Sequence, residues 1–306
     1  MENAMKVGEV IANAGRVHTA VPAFNIPYLP MMAPIVAALR DEKCVGLIAV
    51  ARLEWIKFQS QSISAIAAEY RRTADPAYTH LHLDHVPVID EDNFHVDYMA
   101  DVRTALDEGY ESVMIDGSRL PLDGNIAATR AVVEAAHQRG VAVEGELGAV
   151  MGHESGPMPP YDELFASGKG FTDPAEAARF VRETGVDWLS VAIGSVHGAI
   201  TAAARTQKKV EARLNIDVLE TLRTATKVPL VLHGGTGIRK DCVLDAVRHG
   251  IAKINIGTAV RQPYEKLAGE SVVKAQDAVY AAAVAVIRND LEIAGSAQRV
   301  AKEGTH

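Results

Sequence analysis

Short apolar runs with little alternation recur along the chain, separated by longer amphipathic stretches. The runs are AVPAFNI (20–26), VGLIAVA (45–51), THLHLDH (79–85), SVMIDGS (112–118), VAVEGELG (141–148), WLSVAIGSVHG (188–198), PLVLHGGTG (229–237) and AKINIGT (252–258). Contiguous apolarity of this kind marks parallel strands covered on both faces. Between the runs lie helical patterns such as MADVRTALDEG, NIAATRAVVEAAHQRG and DPAEAARFVRETG, several of them ending in the glycine that stops a helix. Asp173-Pro174 reads as an N-cap followed by proline in the first turn. Eight strands in one uninterrupted βα series predict an α/β fold of the TIM (β/α)8 barrel type, not an open doubly wound sheet. MENAMKVGEVIANAG is predicted to form an extra helix capping the barrel bottom, and the stretch after residue 260 the last barrel helix plus a helical extension. Nothing in the sequence breaks this series, so we expect one barrel domain over residues 1–306.

A length of 306 residues is usual for such a barrel, and 48% hydrophobic with 23% charged residues is an ordinary soluble balance. The net charge of -8 argues against nucleic acid as a partner, since phosphate backbones need a basic face. Cys44 and Cys242, the two cysteines, sit in apolar runs and form neither a disulfide framework nor a metal clip. The N-terminus lacks a signal-peptide core, and no apolar stretch reaches the ~18 residues of a membrane span. The expectation is a soluble cytoplasmic protein without a membrane partner. Eleven histidines point mildly to metal or acid–base chemistry.

The polar residues of the strands gather at their C-terminal ends, the face where barrel active sites are built. Asp84 and His85 end the third strand, Asp116 the fourth, and Glu144 and Glu146 the fifth. His197 ends the sixth, His233 the seventh, and Asn255 lies in the eighth. Burying so many ionisable groups calls for a counter-charge, and a cation is the natural one. A single histidine at a loop mouth reads as a satisfied polar residue; three from three strands, with a carboxylate beside one, read as a catalytic zinc site with an open position. The glycines of HGGTGI and the NIGT stretch at 255–258 close two adjacent strands, where barrels often hold a phosphate on backbone N–H groups and a helix N-terminus. His80 and His82 are expected to pack in the barrel interior or against a helix. Arg205, Lys208 and Lys209, after the sixth strand, form a solvated basic loop or steer an anionic substrate.

In order and spacing, AVPAFNI, HLDH at 82–85, SVMIDGS, VEGELG, AIGSVHG, LHGGTGI and KINIGT resemble the class II fructose- and tagatose-bisphosphate aldolases, from about residue 5 to the last barrel helix. The resemblance implies a zinc-dependent lyase that splits a phosphorylated ketose into dihydroxyacetone phosphate and an aldehyde, the metal acting as Lewis acid toward the enediolate charge. It makes His85, His197 and His233 the zinc ligands and Asp84 the acid–base group at the aldehyde oxygen. Asp116 and Glu146 match an alternate or second cation position, divalent or monovalent. Glu154 matches the carboxylate that shuttles the ketose C–H proton. Asn25, Gly198, Gly234, Gly235, Thr236, Asn255, Ile256, Gly257 and Thr258 match the substrate-binding positions, and the family's habit implies a homodimer or homotetramer.

Three departures fall on the acceptor side. The family's Ser-x-Gly after the second strand is replaced by Ala51-Arg52-Leu53-Glu54, and Val86 opens a longer loop, VPVIDEDNFHVD. Thr201 stands where some members carry a lysine. These changes raise the alternative of an aldolase with a non-phosphorylated or acidic acceptor, with Leu53 obstructing the usual phosphate approach and Arg52 binding an anion elsewhere. Against this stands ordinary specificity, with the C-terminal tail supplying the phosphate contact and Arg52 in solvent. A metal-dependent hydrolase would want a His-x-His at the end of the first strand, where AFNI supplies none. A metal-binding barrel without catalysis sits poorly with Asp84 beside the three histidines.

Overall fold

Each of the eight apolar runs forms a strand. These are β1 (Val21–Asn25), β2 (Gly46–Ala51), β3 (Thr79–Pro87), β4 (Ser112–Asp116), β5 (Ala142–Leu147), β6 (Trp188–Val191), β7 (Leu230–Leu232) and β8 (Ile251–Ile256). All neighbours are parallel, and the sheet closes in chain order with β1 against β8. The computed structural model describes residues 5–148, 161–195 and 212–303.

Helices cover the outside of the barrel, and their ends follow the local chemistry of the sequence. Asp173 accepts hydrogen bonds from the Ala175 and Glu176 N–H groups at 2.9 Å, with Pro174 opening the helix. The same helix stops at Gly185, which takes the left-handed φ of 74° that a side chain would disfavour. The predicted N-terminal helix spans Val7–Arg16 and buries Val7, Val10, Ile11 and Ala14 on one face. That face meets Val21, Leu47, Trp188 and Val231 and plugs the barrel bottom. The C-terminal extension runs through helices Val272–Ala285 and Ser296–Glu303, the latter returning Val300 to the same plug.

The side chains inside β3 break strict alternation. Leu81 and Leu83 face the helices, and beyond them Val86 and Val88 do so as well. The two residues between, Asp84 and His85, both turn inward, because the β3–β4 register slips between Leu83 and Val86 and His85 adopts φ 38°. The β3 strand also continues further than the sequence suggested. Val86 pairs with Ile115 and Pro87 with Asp116, so the connecting segment begins at Val88, not Val86. A second slip, where Leu230 pairs with Ile251 but Val231 with Lys253, accompanies the turning of Lys253 into the barrel.

Candidate active site

Above the apolar plug the barrel interior becomes polar. The Lys253 ammonium, fully buried, lies 2.7 Å from Glu144 Oε2 and donates to Asn255 Oδ1 at 2.7 Å. Glu144 Oε2 also accepts from the Trp188 indole N–H at 2.6 Å, and its Oε1 lies 2.7 Å from His233 Nε2. Asn255 Nδ2 donates to both Asp84 oxygens at 2.9 and 3.0 Å, and Asn25 Nδ2 adds a bond of 2.9 Å from β1. One connected network therefore fixes His233 and Asp84 from below. His82 sits in the same layer, sharing a 2.9 Å bond with Ser112 Oγ. His80, lower still, pairs with Glu111 at 2.6 Å.

At the mouth, His85 and His233 meet. Their Nε2 and Nδ1 atoms are 2.5 Å apart, and Asp84 offers an oxygen to the same point, all three ligand atoms lying within 4.8 Å of one another. On the outer side of His85, Asp116 Oδ2 approaches its Nδ1 at 3.7 Å and Glu146 Oε2 at 3.9 Å. His85, Asp116 and Glu146 form a second group of converging ligand atoms. Glu146 Oε2 is buried without a hydrogen-bond partner among the described residues.

These groups compete over charge. Burial opposes a charged His85, yet its bond to Asp116 and the charges of Asp84 and Glu146 outweigh burial and lift its pKa to about 10. Burial, reinforced by the charge on His85, lowers His233 to about 4. Burial also resists ionisation of Asp84, but the His82 hydrogen bond and the charges of His85, Lys253 and His233 prevail and hold it well below the usual carboxylate range. Glu146 goes the other way, raised by burial and by Asp116.

A divalent cation fits this donor set. Two imidazole nitrogens aimed at each other need a proton or a cation between them, and His85 is driven to hold a proton by the surrounding carboxylates. The orphaned Glu146 oxygen points into the same space. A third combination, His82, Asp84 and Glu144, also has converging ligand atoms. There the Lys253 ammonium already provides the positive charge, 2.7 Å from Glu144 and 3.9 Å from Asp84.

The β7 and β8 loops lie beside these ligands. Gly234 has φ 72°, and a Cβ on Gly235 would stand 2.6 Å from Ile254 Cγ2, so only glycines let the β7 turn lie against β8. Thr236 Oγ1 is buried with no partner among the described residues. Asn255, Ile256 and Gly257 lead directly into the helix Thr258–Ala268, which has no side-chain N-cap and so presents an N-terminus that suits an anion.

Of the residues singled out from sequence, Asp84, His85, Asp116, Glu146, His233, Asn25, Asn255 and the β7 and β8 loops share this one mouth. Glu154, His197, Gly198, Thr201, Arg205, Lys208 and Lys209 lie outside the described residues. Arg52 is not in solvent. Its Nε contacts Asp101 Oδ2 at 3.1 Å, and Asp90 lies 3.9 Å away. Sequence reasoning missed two residues. Lys253 stood out only as a lone cation inside an apolar run. Glu54, noted only as the end of the Ala51-Arg52-Leu53-Glu54 replacement, lies in a short helix, Arg52–Ile56, where it is 8% exposed and accepts from the Ala51 N–H at 2.8 Å.

Residues 5–299 match the family model for fructose-bisphosphate aldolase class-II. A fructose-bisphosphate aldolase of Geobacillus stearothermophilus is 34% identical over 87% of this chain and 85% of its own length. A 6-phospho-5-dehydro-2-deoxy-D-gluconate aldolase of Bacillus velezensis is 36% identical over 81% of this chain and 78% of its own. Among solved structures, the YdjI aldolase from Escherichia coli K12 superimposes with a TM-score of 0.73 at 27% identity, covering 94% of this chain and 98% of that one.

Proposed function

The chain belongs to the class II fructose-bisphosphate aldolase family, whose reaction is reversible aldol cleavage, and we propose that it is a zinc-dependent member releasing dihydroxyacetone phosphate from a phosphorylated ketose. The observation that carries this reading is the meeting of His85 and His233 beside Asp84 at the mouth of the barrel. His85 and His233, with His197 as third ligand, would hold the zinc, and Asp116 and Glu146 a second or alternate cation. When bound, zinc supplies the Lewis acid that polarises the ketose carbonyl.

The remaining work falls to the chain itself. The phosphate rests on Gly234, Gly235 and Thr236 after β7 and on Asn255 through Thr258 after β8, with Gly198 completing the cradle. Asp84, ionised and clamped by Asn25 and Asn255, takes the proton of the hydroxyl on the carbon that becomes the aldehyde. In condensation it returns that proton to the aldehyde oxygen. Glu154 is the proposed carrier of the ketose C–H proton. The same reading makes the protein cytoplasmic, a homodimer or homotetramer, and a single barrel domain over 1–306. Among the described residues no helix is long and apolar enough to cross a membrane.

The test is dihydroxyacetone phosphate release from ketose phosphates, measured with zinc present and after chelation. Cleavage that disappears with the metal and returns on adding zinc is expected; full activity after exhaustive chelation would refute zinc dependence.

A further inference from the structure

The acceptor half of the substrate has to extend away from the phosphate cradle of β7 and β8, past Asp84, toward the loops of β2 and β3. The end of β2 is tied to this point, because Ala51 pairs with Asp84 across the β2–β3 ladder. Three residues on, Glu54 folds back so that Oε2 accepts from the Ala51 N–H at 2.8 Å, which fixes its carboxyl over the strand end. Asn25, which holds Asp84 from β1, also reaches Glu54. Glu54 thus stands beside the group that handles the aldehyde oxygen, where the next carbons of an acceptor would lie.

Among the described residues, the cations nearby are turned elsewhere. Arg52 is held by Asp101 and faces Asp90, and Lys57 is bound by Glu91 at 2.7 Å and Asp92 at 2.8 Å. The lengthened segment after β3 and the replaced turn after β2 are therefore partners, the acids of one neutralising the bases of the other. A phosphate at this end would lie against the ionised Asp84 and the buried Glu54 carboxyl, with Arg52 and Lys57 already paired to other acids. Hydroxyl groups suit a carboxyl well, since they donate to it when it is ionised and can also accept from it when it is protonated. Burial raises the Glu54 carboxyl to about 8, against the opposing bond from Ala51, so both roles are within reach near neutral pH.

We propose that Glu54 selects the acceptor, receiving an unphosphorylated hydroxyaldehyde through its hydroxyl groups and disfavouring a phosphorylated one. The proposal rests on the aldolase reading above and narrows its substrate class. A purely structural role, capping the helix Arg52–Ile56, is the competing account of Glu54.

The test is condensation of dihydroxyacetone phosphate by the zinc-loaded enzyme with glyceraldehyde, glyceraldehyde 3-phosphate and propanal, compared by kcat/KM for the aldehyde. Wild type should favour glyceraldehyde over its phosphate by about tenfold or more, the scale of one hydrogen bond to a charged group. Glu54→Ala should shrink the preference for glyceraldehyde over propanal by about tenfold. Glu54→Gln, whose amide oxygen can keep the cap and meet a hydroxyl, should retain that preference to within about threefold. A wild type that prefers the phosphorylated aldehyde would overturn the proposal and leave the aldolase reading intact. So would a Glu54→Ala enzyme that slows both unphosphorylated aldehydes equally, the signature of a lost cap. No product with any of the three aldehydes would sink the aldolase reading itself, and this proposal with it.

Discussion

Replacing Lys253 by Met removes the positive charge that stands between Glu144 and Asp84 at the base of the site. With an effective dielectric near 20, unit charges 2.7 Å and 3.9 Å apart attract by about 6 and about 4 kcal/mol, before the cost of burying them is subtracted. Breaking a buried ion pair from one side typically costs about 3–5 kcal/mol net, because the abandoned charge stays buried. Lys253 and Glu144 are both fully buried, so this case applies in full. For a chain of 306 residues, an unfolding entropy of roughly 2.1 cal/mol/K per residue turns that loss into a fall in Tm of about 5–8 °C. Scanning calorimetry of Lys253→Met, Glu144→Gln and the double variant measures it. The double variant should be less destabilised than the two singles summed, by about 1–3 kcal/mol, since removing both charges leaves none stranded. A Lys253→Met protein that melts within about 2 °C of wild type, or a strictly additive cycle, would refute the claim that this pair organises the site.

His233→Ala removes a proposed metal ligand together with the endpoint of the Glu144 bond, and elemental analysis of the purified protein should find bound zinc falling from about one per chain to a small fraction. Full zinc occupancy in that variant would show that the metal lies elsewhere. Asp84→Ala should keep its metal and its fold while turnover falls by ~10²–10⁴, the usual contribution of a positioned acid–base group. Near-normal turnover would take the proton-transfer role away from Asp84.

The barrel was legible because each strand is covered on both faces and so prints a solid block of apolar letters. That signal survives any local irregularity. The site was legible as a set of strand ends but not as a geometry. Alternation along THLHLDH puts His85 on the opposite face from Asp84, and nothing in a His codon announces the positive φ that turns it inward. Lys253 illustrates a second limit. Its meaning depends on Glu144 and Asn255, and only the closed barrel brings β5 and β8 into reach of one side chain. Arg52 seemed available because its partners Asp101 and Asp90 lie 49 and 38 residues on, beyond any window in which charges can be paired by eye.

The slip in β3 can be restated as a frame change. Upstream of it, even-numbered positions face the lumen; downstream, odd-numbered ones do, with Leu81, Leu83, Val86 and Val88 tracing the lining of the opposite frame. One surplus residue is enough to seat an acid and an imidazole side by side, without a new loop or a new strand. It also makes the hallmark fragile in a particular way. Deleting a single residue between Leu83 and Val86 would restore a regular ladder and a well-packed outer layer while leaving room for only one of the two functional groups. A barrel altered in that manner could fold soundly and still be silent, so in this strand stability and competence are separable by a single codon.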